Sequence, residues 1–316
     1  MTGCQAFEIH FVRYLAAKQS VDDRSLNHCV WRRLISALSS PEAARSLRLL
    51  EIGAGIGAML ERLLEQVSFS DLNYTLLDTN AACLEESRRR ITQRAIRNGY
   101  EPVRRNDGAL QIATERGQQL ISFLHADIFD FIRAGDPAPG WDVILAHAFM
   151  DLVDCGALLP DLCHRLKAGG LLHLSLNYDG ETIFLPVLDN GFDRHIIELY
   201  HQSMDARIVQ GRPSGDRYTG RHLLAHVAAA GAELLAAGSS DWVVFPRAHR
   251  YFADEAYFLH AILHTVEAEL RHHRDLDSRR FAAWIAHRHH QVETGELIYI
   301  AKNLDLLARI GNASVA

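Results

Sequence analysis

A glycine-rich turn between an apolar run and an amphipathic segment is the feature that most constrains how this chain folds. The apolar run begins at Ser46 and ends in Gly53, Gly55 and Gly57, and helical periodicity follows directly. Glycines let a backbone turn tightly and let a ligand approach the main chain closely. The pattern therefore predicts a strand, a ligand-binding turn and a helix. A turn that serves only the fold is the alternative.

Short apolar runs recur after this turn and alternate with helical segments. Helical spacing covers 81–97 and a second segment that ends near 165–170. Alternation of strands and helices through short turns predicts a parallel sheet with helices on both faces. The later predicted strands are 73–80, 121–132, 141–149 and 171–179.

The first part of the chain, residues 1–45, is predicted to contain two helices around the polar stretch 18–27. Asp22 or Asp23 is expected to cap the second helix.

The alternation loosens after residue 180, which divides a core of residues 46–180 from a C-terminal part, 181–316. Two amphipathic helices are predicted near 253–273 and 277–292, and the region 253–292 is the expected substrate cap. The segment that begins at Glu296 predicts a late strand and a closing helix.

Composition excludes several classes of protein. Hydrophobic residues make up 48% and charged residues 23% of the 316 residues, so a packed globular fold is expected rather than disorder. The net charge of −6 disfavours broad binding to nucleic-acid phosphates. No apolar run of about 18 residues is present, so no membrane span is expected.

The cysteines and the N-terminus suggest a cytoplasmic protein. The five cysteines are odd in number and form no CxxC pair, which favours reduced thiols over disulfides or a zinc site. The N-terminus has charges scattered among its apolar residues and lacks a signal-peptide core. The sequence leaves the oligomeric state open, and a homodimer is compatible with it.

Three acidic residues at the ends of predicted strands narrow the identity of the ligand. Glu51 precedes the glycines, where it would repel a pyrophosphate and attract a cationic group. Asp78 ends the second strand, where a carboxylate accepts from the two hydroxyls of a ribose. Asp127 follows the third strand, where it can accept from an exocyclic amino group.

These residues, with the segments "LLEIGAGIG" and "ADIFDF", resemble the class I S-adenosylmethionine-dependent methyltransferases. The resemblance covers about residues 46–180. It implies an α/β, Rossmann-like doubly wound sheet, mostly parallel, with seven strands of which the last is antiparallel. It also implies S-adenosylmethionine as cofactor. By the same resemblance, the segment 1–45 is expected to cover the cofactor as a lid, unless it is a plain packing helix, and the candidate lid residues are Tyr14, Lys18, Arg24 and Asn27. The expected cofactor contacts are Glu51, Gly53, Gly55, Gly57, Asp78, Thr79, Asp127, Ile128 and His147.

Three other functions stay open at this point. Gly53, Gly55 and Ala58 also satisfy the dinucleotide pattern of NAD(P)-dependent oxidoreductases, although Glu51 disfavours that reading. A protein that binds the cofactor without turnover is another alternative. A protein or RNA methyltransferase would need a local basic groove. We expect a methyltransferase that acts on an O, N or C nucleophile of a small molecule.

The segment after the fourth predicted strand is the expected place of the chemistry. His147 is the candidate base, because histidine titrates near neutral pH. Asp151, four residues on, is expected to orient or polarise it. The alternative is that His147 contacts the cofactor and Asp151 stabilises a helix N-terminus. No Asn/Asp-Pro-Pro-Tyr/Phe motif is present, which argues against DNA adenine methylation.

Four residues further along are candidates for substrate binding. Asn177 and Tyr178 follow the fifth predicted strand and are expected to line the same cleft, unless they form an ordinary turn. Arg212 and Arg217 lie in a polar loop, and arginine binds carboxylates or phosphates with a two-pronged fork. A solvated loop whose arginines pair with neighbouring acids is the alternative.

Histidine is unusually frequent, with 18 residues. His260 and His264 have i, i+4 spacing, and His287, His289 and His290 form a cluster. Such pairs can bind a metal, but no cysteine accompanies them and no H-E-x-x-H pattern is present. We therefore expect no metal site.

Overall fold

The computed structural model describes residues 2–40, 46–135, 140–209 and 211–311, with side chains described from Phe11 onward. The strands are β1 (Leu47–Ile52), β2 (Leu72–Asp78), β3 (Pro102–Arg104), β4 (Leu110–Thr114), β5 (Gly117–His125), β6 (Trp141–His147), β7 (Leu166–Leu185), β8 (Ile208–Val209), β9 (Arg212–Pro213), β10 (Ala232–Ser239), β11 (Trp242–Val244) and β12 (Ile298–Ile310). The helices are α1 (Thr2–Ser25), α2 (His28–Leu38), α3 (Ala58–Gln66), α4 (Ala81–Arg97), α5 (Ile128–Ala134), α6 (Cys155–Arg165), α7 (Asn190–Asp205), α8 (Thr219–Ala229), α9 (Glu255–Leu270) and α10 (Ser278–Glu293).

One large sheet organises the molecule, with the strand order β10-β12-β7-β6-β1-β2-β5-β4-β3 and β11 paired to β12. Strands β5, β2, β1, β6 and β7 are parallel. Strand β12 is antiparallel to both β7 and β10. Seven neighbouring strands, in the order β10-β12-β7-β6-β1-β2-β5, confirm the predicted seven-stranded sheet, and β12 is its antiparallel last strand in the chain. The β3–β4 hairpin and β11 extend it.

Both faces of this sheet are covered, as parallel strands require. On one face, α2, α3 and α4 pack apolar side chains such as Leu34, Leu60 and Ile91 against β1 and β2. On the other face, α6 and α8 contribute Leu158 and Leu223. The central strands β1 and β6 are mostly buried because helices cover both faces of the sheet.

A second hydrophobic core lies beyond the carboxyl ends of the parallel strands. It joins α1, α7, α9 and α10 to the outer half of β7 and the start of β12, through residues such as Phe184, Phe258 and Tyr299. Arg288 is fully buried there and donates to the carbonyl of Pro186 and to Asp193. We call this second core the cap. Helices α9 and α10 match the two helices predicted near 253–273 and 277–292.

Several elements differ from the sequence-based expectations because of long-range pairing. Strand β7 continues past Asp179 to Leu185, and β12 is one strand where a strand and a helix were expected, since the two strands pair from Leu171↔Arg309 to Leu185↔Ile298. The β3–β4 hairpin was not predicted.

The N-terminal helices also differ in detail. Helix α1 runs through most of the polar stretch 18–27, because Lys18 and Asp22 are buried on its inner side. The cap of α2 is Asn27, whose side chain accepts from the N–H groups of Cys29 and Val30. The expectation that Asp22 or Asp23 caps α2 was therefore wrong.

Candidate active site

The glycine turn lies where the sequence predicts it, between β1 and α3. Gly53, Gly55 and Gly57 have φ angles of +63°, +53° and +77°, a region that other residues adopt only with strain. This conformation folds the main chain back on itself at the carboxyl edge of the sheet. Ligands of open α/β sheets bind at this edge.

Two apolar side chains cover the turn. A Cβ atom on Gly53 would overlap the ring of Phe149, which follows β6. A Cβ atom on Gly55 would lie 3.0 Å from Cδ1 of Leu15 in α1. The glycines therefore allow close packing as well as the turn itself. Because Leu15 belongs to α1, that helix packs directly against the turn.

Asp78 ends β2 directly beside the glycine turn. Its Oδ2 accepts from the N–H of Gly55 at 2.7 Å, and its Oδ1 accepts from the N–H of Asn80 at 2.8 Å. Burial raises the pKa of Asp78, while these backbone donors act in the opposite direction. The carboxylate is partly exposed and keeps lone pairs for a further donor. The neighbouring carbonyl of Thr79 lies 3.0 Å from Nε2 of His125.

Asp127 and Ile128 lie at the end of β5, on the same edge. Asp127 is the N-cap of α5, and its Oδ1 accepts from the N–H of Phe129 at 2.8 Å. Its other oxygen has no partner among the described residues, so it is available to a ligand. Ile128 is 2% exposed and packs in the core beneath.

Glu51 lies below the turn rather than beside an open cleft. It is 2% exposed, and its Oε2 accepts from the hydroxyl of Tyr74 at 2.6 Å. Burial raises the pKa of Glu51 to about 8, although Tyr74 and the positive charge of Arg62 act against this. Glu51 is therefore mostly neutral near pH 7 and acts as a buried hydrogen-bond partner of Tyr74 beneath the turn.

His147 ends β6 and belongs to a buried network. Its Nδ1 lies 2.8 Å from Oγ of Ser175, and its Nε2 lies 3.2 Å from both Oδ2 of Asp22 and Nη1 of Arg62. Burial and the neighbouring charge of Arg62 lower the pKa of His147 to about 4, so the ring is neutral near pH 7. Both ring nitrogens are engaged inside the protein.

Asp22, not Asp151, is the carboxylate that meets His147, which corrects the predicted pairing. Asp22 is 3% exposed and also binds Nζ of Lys18 at 2.6 Å. Lys18, His147 and Arg62 hold the pKa of Asp22 below its usual range, although burial alone would raise it. Sequence reasoning placed Lys18 in the lid but missed Asp22. The i, i+4 spacing of the two residues was the available signal.

Two polar atoms in the network around His147 are buried and unpartnered. They are Oδ1 of Asp22 and Nη2 of Arg62. Arg62 otherwise donates to Asp23 and approaches His147. Buried polar atoms without partners cost free energy, so such a pair marks a place where a ligand can supply them.

Asp151 lies in a short 3-10 helix, Met150–Leu152, and remains partly exposed. Burial raises the pKa of its carboxyl group, and the positive charges of Arg207 and Lys18 oppose this. No side chain in the described part of the chain forms a hydrogen bond or ion pair with it. The loop around Gly215 packs against its backbone.

Asn177 and Tyr178 do not line the cleft, contrary to prediction. Asn177 is fully buried and donates to the carbonyl of Leu304 at 2.8 Å. The hydroxyl of Tyr178 lies 2.7 Å from both Thr182 and His201 inside the cap. The reason is that β7 continues through both residues, so Asn177 bonds the neighbouring strand β12 and Tyr178 packs inside the cap instead of facing solvent.

The two predicted arginines have different surroundings. Arg217 pairs with Glu198 at 3.0 Å and with Asp205 at 2.7 Å, which is the solvated-loop alternative. Arg212 lies in β9, with its guanidinium 4.4 Å from the centre of the Phe129 ring near Asp127. Neither arginine reaches His147 or Asp151.

The histidines of the cap form one close pair. Nδ1 of His260 lies 2.7 Å from Nδ1 of His289, and the rings stack. Among the residues with described side chains, no three His, Cys, Asp or Glu groups converge as metal ligands. No helix within the described ranges is long and apolar enough to cross a membrane.

No family model and no curated protein matches the chain, but solved structures do. A putative methyltransferase from Bacillus halodurans C-125 is 11% identical, with a TM-score of 0.47, over 88% of this chain and 98% of the other. A SAM-dependent methyltransferase from Thiobacillus denitrificans, solved with S-adenosyl-L-homocysteine, is 13% identical, with a TM-score of 0.43, over 89% and 92%. A putative sarcosine dimethylglycine methyltransferase from Galdieria sulphuraria is 13% identical, with a TM-score of 0.40, over 89% and 86%.

Because the identities are this low, the strand order and the residues of this chain alone decide its fold. The seven strands, the antiparallel β12 and the glycine turn after β1 are those that the sequence resemblance implied. The fold is that of the class I methyltransferases.

Proposed function

We propose that the protein is an S-adenosylmethionine-dependent methyltransferase that acts on a small molecule. The observation that carries the proposal is the left-handed glycine turn of Gly53, Gly55 and Gly57 with the carboxylate of Asp78 beside it. A carboxylate at the end of the second strand accepts well from ribose hydroxyls. Asp127 supplies a second free acceptor on the same edge of the sheet, just past the end of β5, the strand that pairs with β2.

The unpartnered atoms fit the amino-acid end of this cofactor. An α-amino acid presents a carboxylate and an ammonium group. Nη2 of Arg62 is a buried donor for the carboxylate, and Oδ1 of Asp22 is a buried acceptor for the ammonium group. Leu15 and Phe149 would line the apolar carbon chain between the two ends. The residues present therefore suit the cofactor.

The cofactor, when bound, supplies a methyl group on a positively charged sulfur, which is already an electrophile. The protein therefore has to align the acceptor and exclude water. Helix α1 and the cap cover the edge of the sheet, which favours an enclosed small-molecule pocket over an open groove for nucleic acid. The reduced cysteines Cys29, Cys155 and Cys163 suit a cytoplasmic location, which the proposal includes.

Calorimetric titration with S-adenosylmethionine, S-adenosylhomocysteine and NADH tests this function. We expect micromolar binding of the first two and loss of at least tenfold in affinity in Asp78→Ala, since one charged acceptor is worth about 1.5–3 kcal/mol. Asp161→Ala, an exposed change on α6, is the matched control. Binding of NADH alone would instead support an oxidoreductase. Binding of both sulfur compounds without methyl transfer to any acceptor would support a non-catalytic protein.

A further inference from the structure

Asp22 offers one carboxylate oxygen to the proposed cofactor and uses the other within the protein. Its Oδ2 accepts from Nζ of Lys18 at 2.6 Å and lies 3.2 Å from Nε2 of His147. Its Oδ1 is buried without a partner. A carboxylate is planar, so the groups that hold one oxygen also set the direction of the other. The contacts on Oδ2 therefore decide where Oδ1 can meet an ammonium group.

His147 connects Asp22 to the edge of the sheet. Its Nδ1 lies 2.8 Å from Oγ of Ser175 in β7, and burial keeps the pKa of the ring low, at about 4, so the ring carries one proton near pH 7. A carboxylate can only accept and a hydroxyl can also donate, so the arrangement that bonds all three groups has this proton on Nε2. Arg62, the other neighbour of Nε2 at 3.2 Å, has only donors and keeps them for the carboxylate of the cofactor in this arrangement.

The backbone that follows His147 and Ser175 is strained in both strands. Ala148 and Leu176 have φ angles of +50° and +54°, which residues with side chains rarely adopt. The N–H of Ala148 donates to the carbonyl of Ser175 at 2.8 Å. The N–H of Leu176 donates to Oδ1 of Asp305 at 2.7 Å. Strained residues persist only where the surrounding structure fixes them, so these bonds hold the hydroxyl of Ser175 against the ring of His147.

Asp305 also fixes the end of α1. It is 1% exposed in β12, and its Oδ2 accepts from the N–H of Asn27 at 2.8 Å. The N–H of Leu26, the preceding residue, donates to the carbonyl of Asp22 at 3.1 Å. One buried carboxylate thus supports both the strand end that carries Ser175 and the helix end that carries Asp22.

We propose that His147 and Asp305 are positioning residues that aim Oδ1 of Asp22 at the ammonium group of the cofactor. His147 holds the side chain of Asp22, and Asp305 holds the end of α1 against β7. This inference rests on the proposed cofactor-binding function and deepens it, because it states which part of the cofactor the buried network serves. It assigns His147 to recognition of the amino-acid end rather than to proton transfer.

Calorimetry with S-adenosylhomocysteine and methylthioadenosine tests the inference, because methylthioadenosine has the nucleoside and the sulfur but lacks the amino-acid end. We expect His147→Leu to weaken the binding of S-adenosylhomocysteine about tenfold or more, and that of methylthioadenosine less than about threefold. His147→Gln keeps a side-chain N–H donor and is expected to regain most of the lost affinity. His287→Leu, the same change at an exposed position of α10, is expected to match the wild type on both ligands.

Two further variants test the network from the sheet. Asp305→Asn replaces an acceptor oxygen with an amide donor, so one of the two N–H groups loses its partner and the same selective loss is expected. Ser175→Ala leaves the buried charges unchanged and carries this part of the test if Asp305→Asn does not fold. It is expected to weaken S-adenosylhomocysteine about threefold or more and methylthioadenosine less than about twofold. Ser278→Ala, at the exposed start of α10, is its matched control.

A merely structural role of the network would weaken both ligands to the same extent. Equal losses for the two ligands, or an unchanged affinity of His147→Leu for S-adenosylhomocysteine, therefore overturn the inference while leaving the proposed function intact. A wild type that binds neither S-adenosylmethionine nor S-adenosylhomocysteine would overturn the proposed function itself.

Discussion

The floor and the cover of the candidate site are built in different ways. The floor is the carboxyl edge of the sheet, where Gly53, Asp78 and Asp127 each follow a strand and take their positions from local chain geometry. The cover is α1 with the cap, where Lys18, Asp22 and Tyr14 gain their roles only through contacts with distant elements. Motifs in sequence therefore describe the floor, whereas the cover emerges from packing.

Removal of the Asp22 carboxylate from the cover is expected to cause the largest loss in the free energy of unfolding. Asp22→Ala would leave Lys18 and Arg62 buried with less compensation, a change that typically costs about 3–5 kcal/mol. Urea unfolding measures this loss. Glu233→Ala, which removes a surface partner of Arg309, is the control and is expected to cost less than about 1 kcal/mol. Equal effects would mean that the cover is not held through the buried network.

The floor has its own sensitive position at Gly53. Gly53→Ala combines a strained φ angle with overlap on the ring of Phe149, so we expect a loss of about 2–4 kcal/mol in the free energy of unfolding. Gly99→Ala is the control. Gly99 also has a left-handed φ angle, +81°, but a Cβ atom added there would lie within 4 Å of no other atom. It is expected to cost about 1 kcal/mol. Similar losses in the two variants would show that Phe149 does not press on the turn.

His173 gives the sheet a sensitivity to acid that Leu at the same position would remove. The ring is fully buried beside Trp31, both nitrogens are unpartnered, and burial lowers its pKa to about 3. The unfolded chain therefore binds more protons below pH 6.5, and stability is lost as the pH falls from there towards 3.

The difference between the wild type and His173→Leu isolates this contribution, because opposing groups such as Glu51 are common to both. The variant is expected to be more stable by about 1–2 kcal/mol at pH 7, and by about 2 kcal/mol more at pH 5. Urea midpoints at the two pH values measure it. A constant difference between the two values would mean that His173 does not titrate in this range.

Arg217 is expected to show the smallest effect. Arg217→Ala removes ion pairs with Glu198 and Asp205, whose carboxylates are exposed to solvent, so the stability should fall by about 1 kcal/mol. The affinity for S-adenosylhomocysteine should stay the same, because the residue lies outside the floor and the cover. A tenfold loss of affinity for S-adenosylhomocysteine would mean that Arg217 takes part in ligand binding.

The accuracy of sequence reasoning follows the same division. The turn, Asp78 and the antiparallel β12 were predictable because strand ends, glycines and apolar runs are local signals. The partner of His147 was not, because Asp22 lies 125 residues away along the chain. Asn177 and Tyr178 were misplaced because their exposure depends on β12, which pairs with β7 from the far end of the chain.

A crystal structure with S-adenosylhomocysteine tests the central claim most directly, namely that floor and cover together form one cofactor site. The account predicts the ligand over the glycine turn, with its ribose on Asp78 and its amino-acid end between Arg62 and Asp22. Ligand bound elsewhere, or no ligand at saturating concentration, would contradict it.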